Sequence, residues 1–277
     1  MATQQRPDHD GPVVLFPSAA VLEAFRVDGD PTPLGGGEGV SFRVGDVVLK
    51  RVHDTAEAEW TQDLVSRVHQ VGFRLPDPVS AVEGCWVRQG WSASRFLPGL
   101  RPAAPAWRDI ADAGLRFADA AEHARDGGHD VLSRRTHRWA VADRVAWGEA
   151  TVELVPEARE VVAQISDWLG APSGDTHFVH GDLSGNVFLD RAGVPVILDV
   201  SPYLRPRRWA AAIVTADAVL WHGANASLAA SLASGPDRDL LGRALMFRLV
   251  AEQRAENPRH GALLEPYRRL LAALPRG

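Results

Sequence analysis

A break at Arg95-Phe-Leu-Pro-Gly99, prolonged by Pro102 and Pro105, separates two stretches of this chain that carry different periodicities. Before it lie short, strand-length apolar runs: Val40 to Val44, Val47 to Lys50, Val79 to Val82 and Cys85 to Ser94. Beyond it the apolar spacing is helical over Trp107 to Arg125, Arg138 to Trp147 and Pro156 to Leu169. It becomes helical again over Arg207 to Leu220, Asp237 to Arg254 and Leu263 to Leu274. Short strands followed by longer helices predict an α+β chain with a small β-rich lobe and a larger helical one. The expected limits are a loose, disordered start over residues 1–12, an N-lobe over 13–97 and a C-lobe over 98–277.

The N-lobe signals are specific enough to assign a register. Ser18 is placed to cap a short helix carrying Val21, Leu22 and Phe25. Gly45-Asp46 is a two-residue hairpin signal, which sets Val44 against Val47 and Ser41 against Lys50. Alternation then puts Val48 and Lys50 on one face, with Val47 and Leu49 on the other. Asp54-Thr-Ala-Glu57 reads as a helix start, and the helix is expected to run to Val71 and stop at Gly72. Trp60, Leu64, Val68 and Val71 form its apolar stripe; Glu57 falls within that stripe and Glu59 points away. An acid on an inward face needs a cationic partner, unless Glu57 is simply an exposed first-turn residue.

Composition excludes several function classes. With 277 residues, 45% of them hydrophobic, the chain can bury a large core. A net charge of −5 without a basic block argues against a nucleic-acid partner. Cys85 is the single cysteine, which rules out an internal disulfide and points to a reducing, cytoplasmic setting. Met1 to Pro12 lacks the apolar core of a signal peptide, and no run reaches the roughly 18 apolar residues of a membrane span. The oligomeric state leaves no trace in the sequence.

The chemistry concentrates in Val179-His-Gly-Asp-Leu-Ser-Gly-Asn-Val-Phe-Leu189 and Val196-Ile-Leu-Asp-Val-Ser-Pro202. Strand signals at Phe178-Val179, Val187 to Leu189 and Val196 to Asp199 put Asp182 and Asn186 in the loop leading into a hairpin, and Asp199 at its exit. Two carboxylates and an amide suit phosphoryl transfer, which is mostly positioning and charge neutralisation. Mg²⁺ takes hard oxygen ligands, often one or two from protein and the rest from phosphates. One acid must also accept the proton of the attacking hydroxyl. Upstream, Lys50 is the only lysine; every other one of the 30 Lys and Arg residues is arginine. A compact ammonium and a planar guanidinium are not interchangeable.

On these residues the chain resembles the aminoglycoside phosphotransferase and choline kinase-like family, distant relatives of the protein kinases. The likeness covers nearly the whole chain, from the glycine cluster at Gly35 to Gly39 through Lys50, Glu57, Gly99, His180-Gly-Asp182 and Asn186 to Asp199. The sequence after Asp199 looks like an actinobacterial branch of that family. The resemblance implies a two-lobe protein kinase-like fold, with ATP and Mg²⁺ as cofactors. It implies nucleotide contacts from Gly36, Gly37, Gly39, Val48 and Lys50, with Lys50 oriented by Glu57. The backbone of Arg95 and Leu97 would meet the adenine edge, Asp182 would be the catalytic base, and Asn186 and Asp199 would hold the metal. Asp217 corresponds either to a buried brace of the catalytic loop or to a helix-surface acid.

Two features depart from the family pattern. Asn186 follows Asp182 by four residues where the family usually has five, so Ser184-Gly185 must turn tightly. The glycine cluster is not the protein-kinase GxGxxG. The remaining residues read as structural: His180 beneath the loop, Cys85 in the core, and Trp139, Trp147, Trp168 and Trp209 in helix packing. Arg205, Arg207 and Arg208 either bind an anion or lie on a solvated loop. From Gly235 onward, five acids stand against eight arginines, and Arg205, Arg207 and Arg208 add to the surplus, which favours a neutral or anionic hydroxyl acceptor over an aminoglycoside-type polycation. The expected activity is that of an ATP-dependent small-molecule kinase. The alternative is a catalytically weak nucleotide-binding scaffold disarmed by the short loop.

Overall fold

The computed structural model describes residues 15–35, 41–122, 128–172, 174–255 and 260–274. The chain forms two compact units. One holds the described residues up to Gln62 together with Asp77–Leu97, and the other holds Asp63–Pro76 and the described residues from Pro98 onward.

In the first unit, α1 (Ala19–Ala24) starts where the Ser18 hydroxyl accepts the Val21 N–H at 3.4 Å. The strands β1 (Thr32–Leu34), β2 (Ser41–Val44), β3 (Val47–Arg51), β4 (Val87–Arg88) and β5 (Trp91–Arg95) follow. They make one antiparallel sheet in the order β1-β2-β3-β5-β4. The register expected from Gly45-Asp46 is present, with Val44 opposite Val47 and Ser41 opposite Lys50. Val47 and Leu49 are buried with Val21, Phe25, Phe42 and Trp91, while Val48 and Lys50 are half-buried on the other face.

Two strand expectations fail in this unit. Val79–Val82 makes no strand: Pro78 contributes one isolated bridge to Ser94, and a short 3₁₀ turn spans Val82–Gly84. Glu83 and Gly84 both take positive φ there, at 75° and 81°, which turns the chain back on itself. The run Cys85–Ser94 is split by Gln89-Gly90, left-handed at φ 51° and 77°, which forms the two-residue loop of the β4–β5 hairpin. Glutamine is an uncommon residue for that role, so Gln89-Gly90 carries no recognisable turn signal. Glu59 has a function that its outward position concealed. Its carboxylate accepts the Trp86 and Val87 N–H groups at 2.9 and 2.7 Å, fixing the start of β4.

Helix α2 (Thr55–Arg67) begins with the Asp54 carboxylate accepting the Glu57 N–H at 2.9 Å. It ends four residues short of Val71. Trp60, Leu64 and Val68 are buried as the stripe requires, but Val71 is 62% exposed in the following loop. That loop has a different task. Arg74 donates its N–H to Pro195 and accepts from Ile197, at 2.8 and 2.9 Å, so residues 63–76 belong with the second unit.

In the second unit β6 (Arg101–Pro102) precedes α3 (Trp107–Glu122), α4 (Gly128–Ser133), α5 (Arg138–Ala146) and α6 (Arg159–Ser166). Next come β7 (Thr176–His180), β8 (Val187–Leu189), β9 (Pro195–Ile197) and β10 (Pro202–Pro206). The chain continues with α7 (Trp209–Trp221), α8 (Ser227–Ala233), α9 (Arg238–Gln253) and α10 (His260–Ala273). Strands β6, β8 and β9 form one antiparallel sheet, and β10 pairs with β7. Strand β10 was not expected, because prolines at both ends disguise it; prolines are tolerated at strand ends on a sheet edge.

Helix α9 is the centre of this unit, with Leu241 through Ala251 all buried. Two arginines lie inside that buried run, and each must be paired. Arg243 holds Asp239 at 2.7 Å and the carbonyls of Ala146 and Gly170 at 2.9 and 2.7 Å. The arginines after β9 are also engaged: Arg205 with Asp143 and Glu149, Arg207 with Asp119, and Arg208 with Asp237. Among the described residues no helix is long and apolar enough to cross a membrane.

Replacing Glu59 with alanine strands two N–H groups at the start of β4. Such a loss costs about 1–3 kcal/mol. The expected outcome is a lower urea midpoint with an unchanged m-value; an unaltered midpoint would remove Glu59 from the account of this sheet.

Candidate active site

Asp182 and Asn186 occupy the turn between β7 and β8, and two glycines let that turn sit close to its supports. A Cβ on Gly181 would lie 2.3 Å from the Tyr203 ring of β10. A Cβ on Gly114 in α3 would lie 2.3 Å from the buried Leu183 side chain. The turn thus packs its Leu183 side chain against α3 and lies against the Tyr203 ring, and glycine at 114 and 181 leaves room for both contacts.

The four-residue spacing is met by a single tight turn. The Asn186 and Val187 N–H groups both donate to the Leu183 carbonyl, at 3.0 and 3.1 Å. Asn186 then reaches back, its Nδ2 donating to the Asp182 carbonyl at 2.8 Å and to Asp182 Oδ2 at 3.2 Å. With Nδ2 so committed, the amide oxygen is the end of Asn186 that could serve as a metal ligand. Gly185 departs from expectation. It is not among the glycines at positive φ, and a Cβ there would meet nothing within 4 Å. The turn needs no conformational freedom from it.

Asp199 lies just past β9, exposed, with a left-handed φ of 51°. Aspartate visits that region more readily than most residues, and a left-handed non-glycine is common at functional sites. The preceding residue is tied to the Asp182 turn, since the Leu198 N–H donates to the Asn186 carbonyl at 2.7 Å. His180 makes a second tie. It is fully buried, and its Nδ1 accepts the Asp182 N–H at 3.0 Å. The proton of the neutral ring therefore sits on Nε2, and the backbone of Leu198 and Asp199 lies close enough to the ring to favour its charged form. Burial lowers its pKa, against the opposing charges of Asp182 and Asp199. His180 is thus a neutral structural bridge under both loops.

Asp217 is the buried brace rather than a surface acid. At 1% exposure it accepts the Ser184 hydroxyl at 2.8 Å and receives Arg248 Nε and Nη2 at 2.7 and 2.6 Å. The same Arg248 Nη2 donates to Asp182 Oδ1 at 3.1 Å. Burial disfavours the Arg248 charge, but Asp217 and Asp182 outweigh it and raise its pKa. In the sequence Arg248 is only one of the eight arginines that follow Gly235. Its one signal was a charge inside an otherwise apolar helical run.

The first unit carries the remaining candidates. Lys50 and Val48 are half-buried on the same face of β3, and Glu57 is half-buried in the first turn of α2. The Arg95 N–H is donated to the Asp77 carbonyl at 2.8 Å, so Arg95 can offer an adenine edge only its carbonyl. Leu97 is half-buried at the end of the unit. Gly36, Gly37 and Gly39 lie outside the described residues.

Among the described residues no three His, Cys, Asp or Glu side chains gather as a metal cage. An amide oxygen and a carboxylate are nevertheless hard donors that suit Mg²⁺, which draws its other ligands from phosphates and water. The donor set fits that ion and does not suit one that needs nitrogen or sulfur ligands.

Because His180 is neutral when folded, its linkage has a definite sign. Below its ordinary pKa of 6.5 the unfolded chain takes up a proton that the folded chain refuses, so stability falls as pH falls. His180→Asn, which can still accept the Asp182 N–H, should flatten the decline in thermal midpoint between pH 7 and 5 relative to wild type. Parallel pH profiles for the two proteins would contradict the buried, neutral assignment.

No family model matches this chain, and no curated protein matches its sequence. Solved structures do match it. A thermostable mutant of aminoglycoside phosphotransferase APH(4)-Ia, in ternary complex with AMP-PNP and hygromycin B, aligns at a TM-score of 0.59 and 18% identity over 91% of this chain and 96% of that one. Spectinomycin phosphotransferase APH(9)-Ia, in complex with ADP and spectinomycin, aligns at 0.54 and 12% over 91% and 92%. The GDP complex of aminoglycoside 2'-phosphotransferase-IIIa aligns at 0.51 and 13% over 88% and 91%. The α+β chain, a small antiparallel-sheet unit with a larger helical one, has the fold of the aminoglycoside phosphotransferases.

Proposed function

We propose that this protein is a phosphotransferase that moves the γ-phosphate of ATP to a hydroxyl group of a small molecule. The reading rests above all on the Asp182 turn. A carboxylate with a hydrogen-bond donor on each oxygen is tied through the Asn186 carbonyl and Leu198 to a second, exposed carboxylate at Asp199. In this reading Asp182 orients the acceptor hydroxyl and takes its proton. Asn186 and Asp199 hold Mg²⁺, whose charge would offset that of the phosphates. Lys50 holds the α- and β-phosphates and Glu57 orients it, with Gly36, Gly37, Gly39, Val48 and Leu97 around the nucleotide. The short turn does not favour a disarmed scaffold, because Asn186 still reaches Asp182.

A neutral or anionic acceptor was the expectation from the arginine surplus. That surplus carries less weight here, because Arg243 and Arg248 are buried and Arg205, Arg207 and Arg208 are each matched to carboxylates. The acceptor search therefore includes aminoglycosides alongside sugars, nucleosides and hydroxy acids. It also includes GTP as a second donor, since one structural neighbour was crystallised with GDP.

The test is ATP-dependent gain of one phosphate, detected by mass, across pooled small molecules. Asp182→Asn should lower turnover by about 10²–10⁴-fold with nucleotide affinity nearly intact, because the base acts mainly in the transition state. Asp199→Ala should remove the Mg²⁺-dependent part of ATP binding in calorimetry. Undiminished turnover in the Asp182 variant would refute the assignment. Lys50→Arg should raise the Michaelis constant for ATP and lower turnover, since a planar fork replaces a point charge. A fully active Lys50→Arg enzyme would make the lone lysine an accident of composition.

A further inference from the structure

Arg248 lies deep in the second unit, yet one of its nitrogens touches Asp182. Its side chain is 2% exposed and packed among aromatic rings. The guanidinium carbon is 5.2 Å from the centres of Trp139 and Phe247 and 5.6 Å from that of Trp221. In such surroundings a cation must be fixed by charged partners. Asp217 supplies the fixing, gripping Nε and Nη2 at 2.7 and 2.6 Å. Ser184 steadies the same Asp217 carboxylate from the catalytic turn itself. A planar fork held along one edge has set directions for its other N–H bonds, and the second hydrogen of Nη2 is directed to Asp182 Oδ1, 3.1 Å from that nitrogen.

Asp182 is thus held from both sides. Arg248 donates to Oδ1, and Asn186 donates to Oδ2 at 3.2 Å. An aspartate that is 55% exposed would otherwise be free to rotate. Building on the phosphotransferase reading above, we propose that Arg248 is a positioning residue for the transfer. Anchored by Asp217, it fixes the plane of the Asp182 carboxylate so that its remaining lone pairs meet the acceptor hydroxyl. In the step it serves, the acceptor O–H bond breaks and its proton passes to Asp182. The acceptor oxygen bonds to the γ-phosphorus, and the bond to the β–γ bridging oxygen breaks, its electron pair leaving with ADP. Arg248 exchanges no proton and forms no bond to substrate.

A second buried arginine on the same helix provides the control. Arg243 is also 2% exposed and paired, but with Asp239 and two carbonyls away from the turn. The experiment measures Mg–ATP hydrolysis, with water as acceptor, for wild type, Arg248→Lys, Arg248→Gln and Arg243→Lys, alongside thermal midpoints. The expected result for Arg248→Lys or Arg248→Gln is a fall in kcat of roughly 10–100-fold, with KM for ATP within about twofold. Arg243→Lys should lose thermal stability and keep its kcat. Wild-type kcat in Arg248→Lys, or a kcat loss in Arg243→Lys that parallels its loss of stability, would overturn the positioning role. If neither Arg248 variant folds, the guanidinium is a structural brace and the role is likewise overturned. A wild-type protein with no Mg–ATP turnover would overturn the phosphotransferase reading, and the positioning role with it.

Discussion

The second unit is organised around one buried carboxylate. Asp217 is surrounded by apolar helix, where an isolated charge is costly, and Arg248 and Ser184 make it tolerable. That requirement joins three parts of the chain. It sets the azimuth of α9, which must turn Arg248 toward α7. It fixes α7, which must present Asp217 inward. Finally, it pins the Asp182 turn, which supplies the hydroxyl. Buried ion pairs contribute modestly to net stability, but they discriminate strongly among arrangements, because each misplacement leaves a charge unpaired. Here the arrangement selected is the one that presents Asp182.

Around that hub the backbone takes over. His180 ties the Asp182 N–H on one side and faces Leu198 and Asp199 on the other, while Leu198 also donates to the Asn186 carbonyl. Arg74 then clamps β9 from its far edge through Pro195 and Ile197. Each candidate side chain therefore sits on backbone fixed by other elements, as a preorganised site requires. The side chains themselves remain accessible at Asp182 and Asp199. The rigid parts lie beneath the site, and its surface is left open to a ligand.

How legible was this in the sequence? The β2–β3 register was fully legible, because Gly45-Asp46 leaves one compatible pairing and Val47 and Leu49 alternate cleanly with Val48 and Lys50. The loop positions of Asp182, Asn186 and Asp199 were legible as well, since three polar residues interrupt apolar strands there. Features set by tertiary contact were not. Gln89-Gly90 turns left-handed because β4 and β5 pair, not because glutamine favours it. Strand β10 hid behind its own prolines, and α2 stopped early because the next residues are drawn into the β9 ladder. Arg248 was misread for a similar reason. A charge tally treats every arginine as solvated, and only the fold shows which ones are buried on carboxylates.

The single lysine, Lys50, has a consequence of another kind. It carries the one side-chain amine in the chain, and it sits half-buried on β3. Acylating reagents that coat the surfaces of most proteins have here a single lysine to find, apart from the α-amino group. The same scarcity makes this position a built-in label. Reductive methylation with isotopic formaldehyde would place one lysine probe in the first unit, and its signal could be followed without spectral assignment as nucleotide is added.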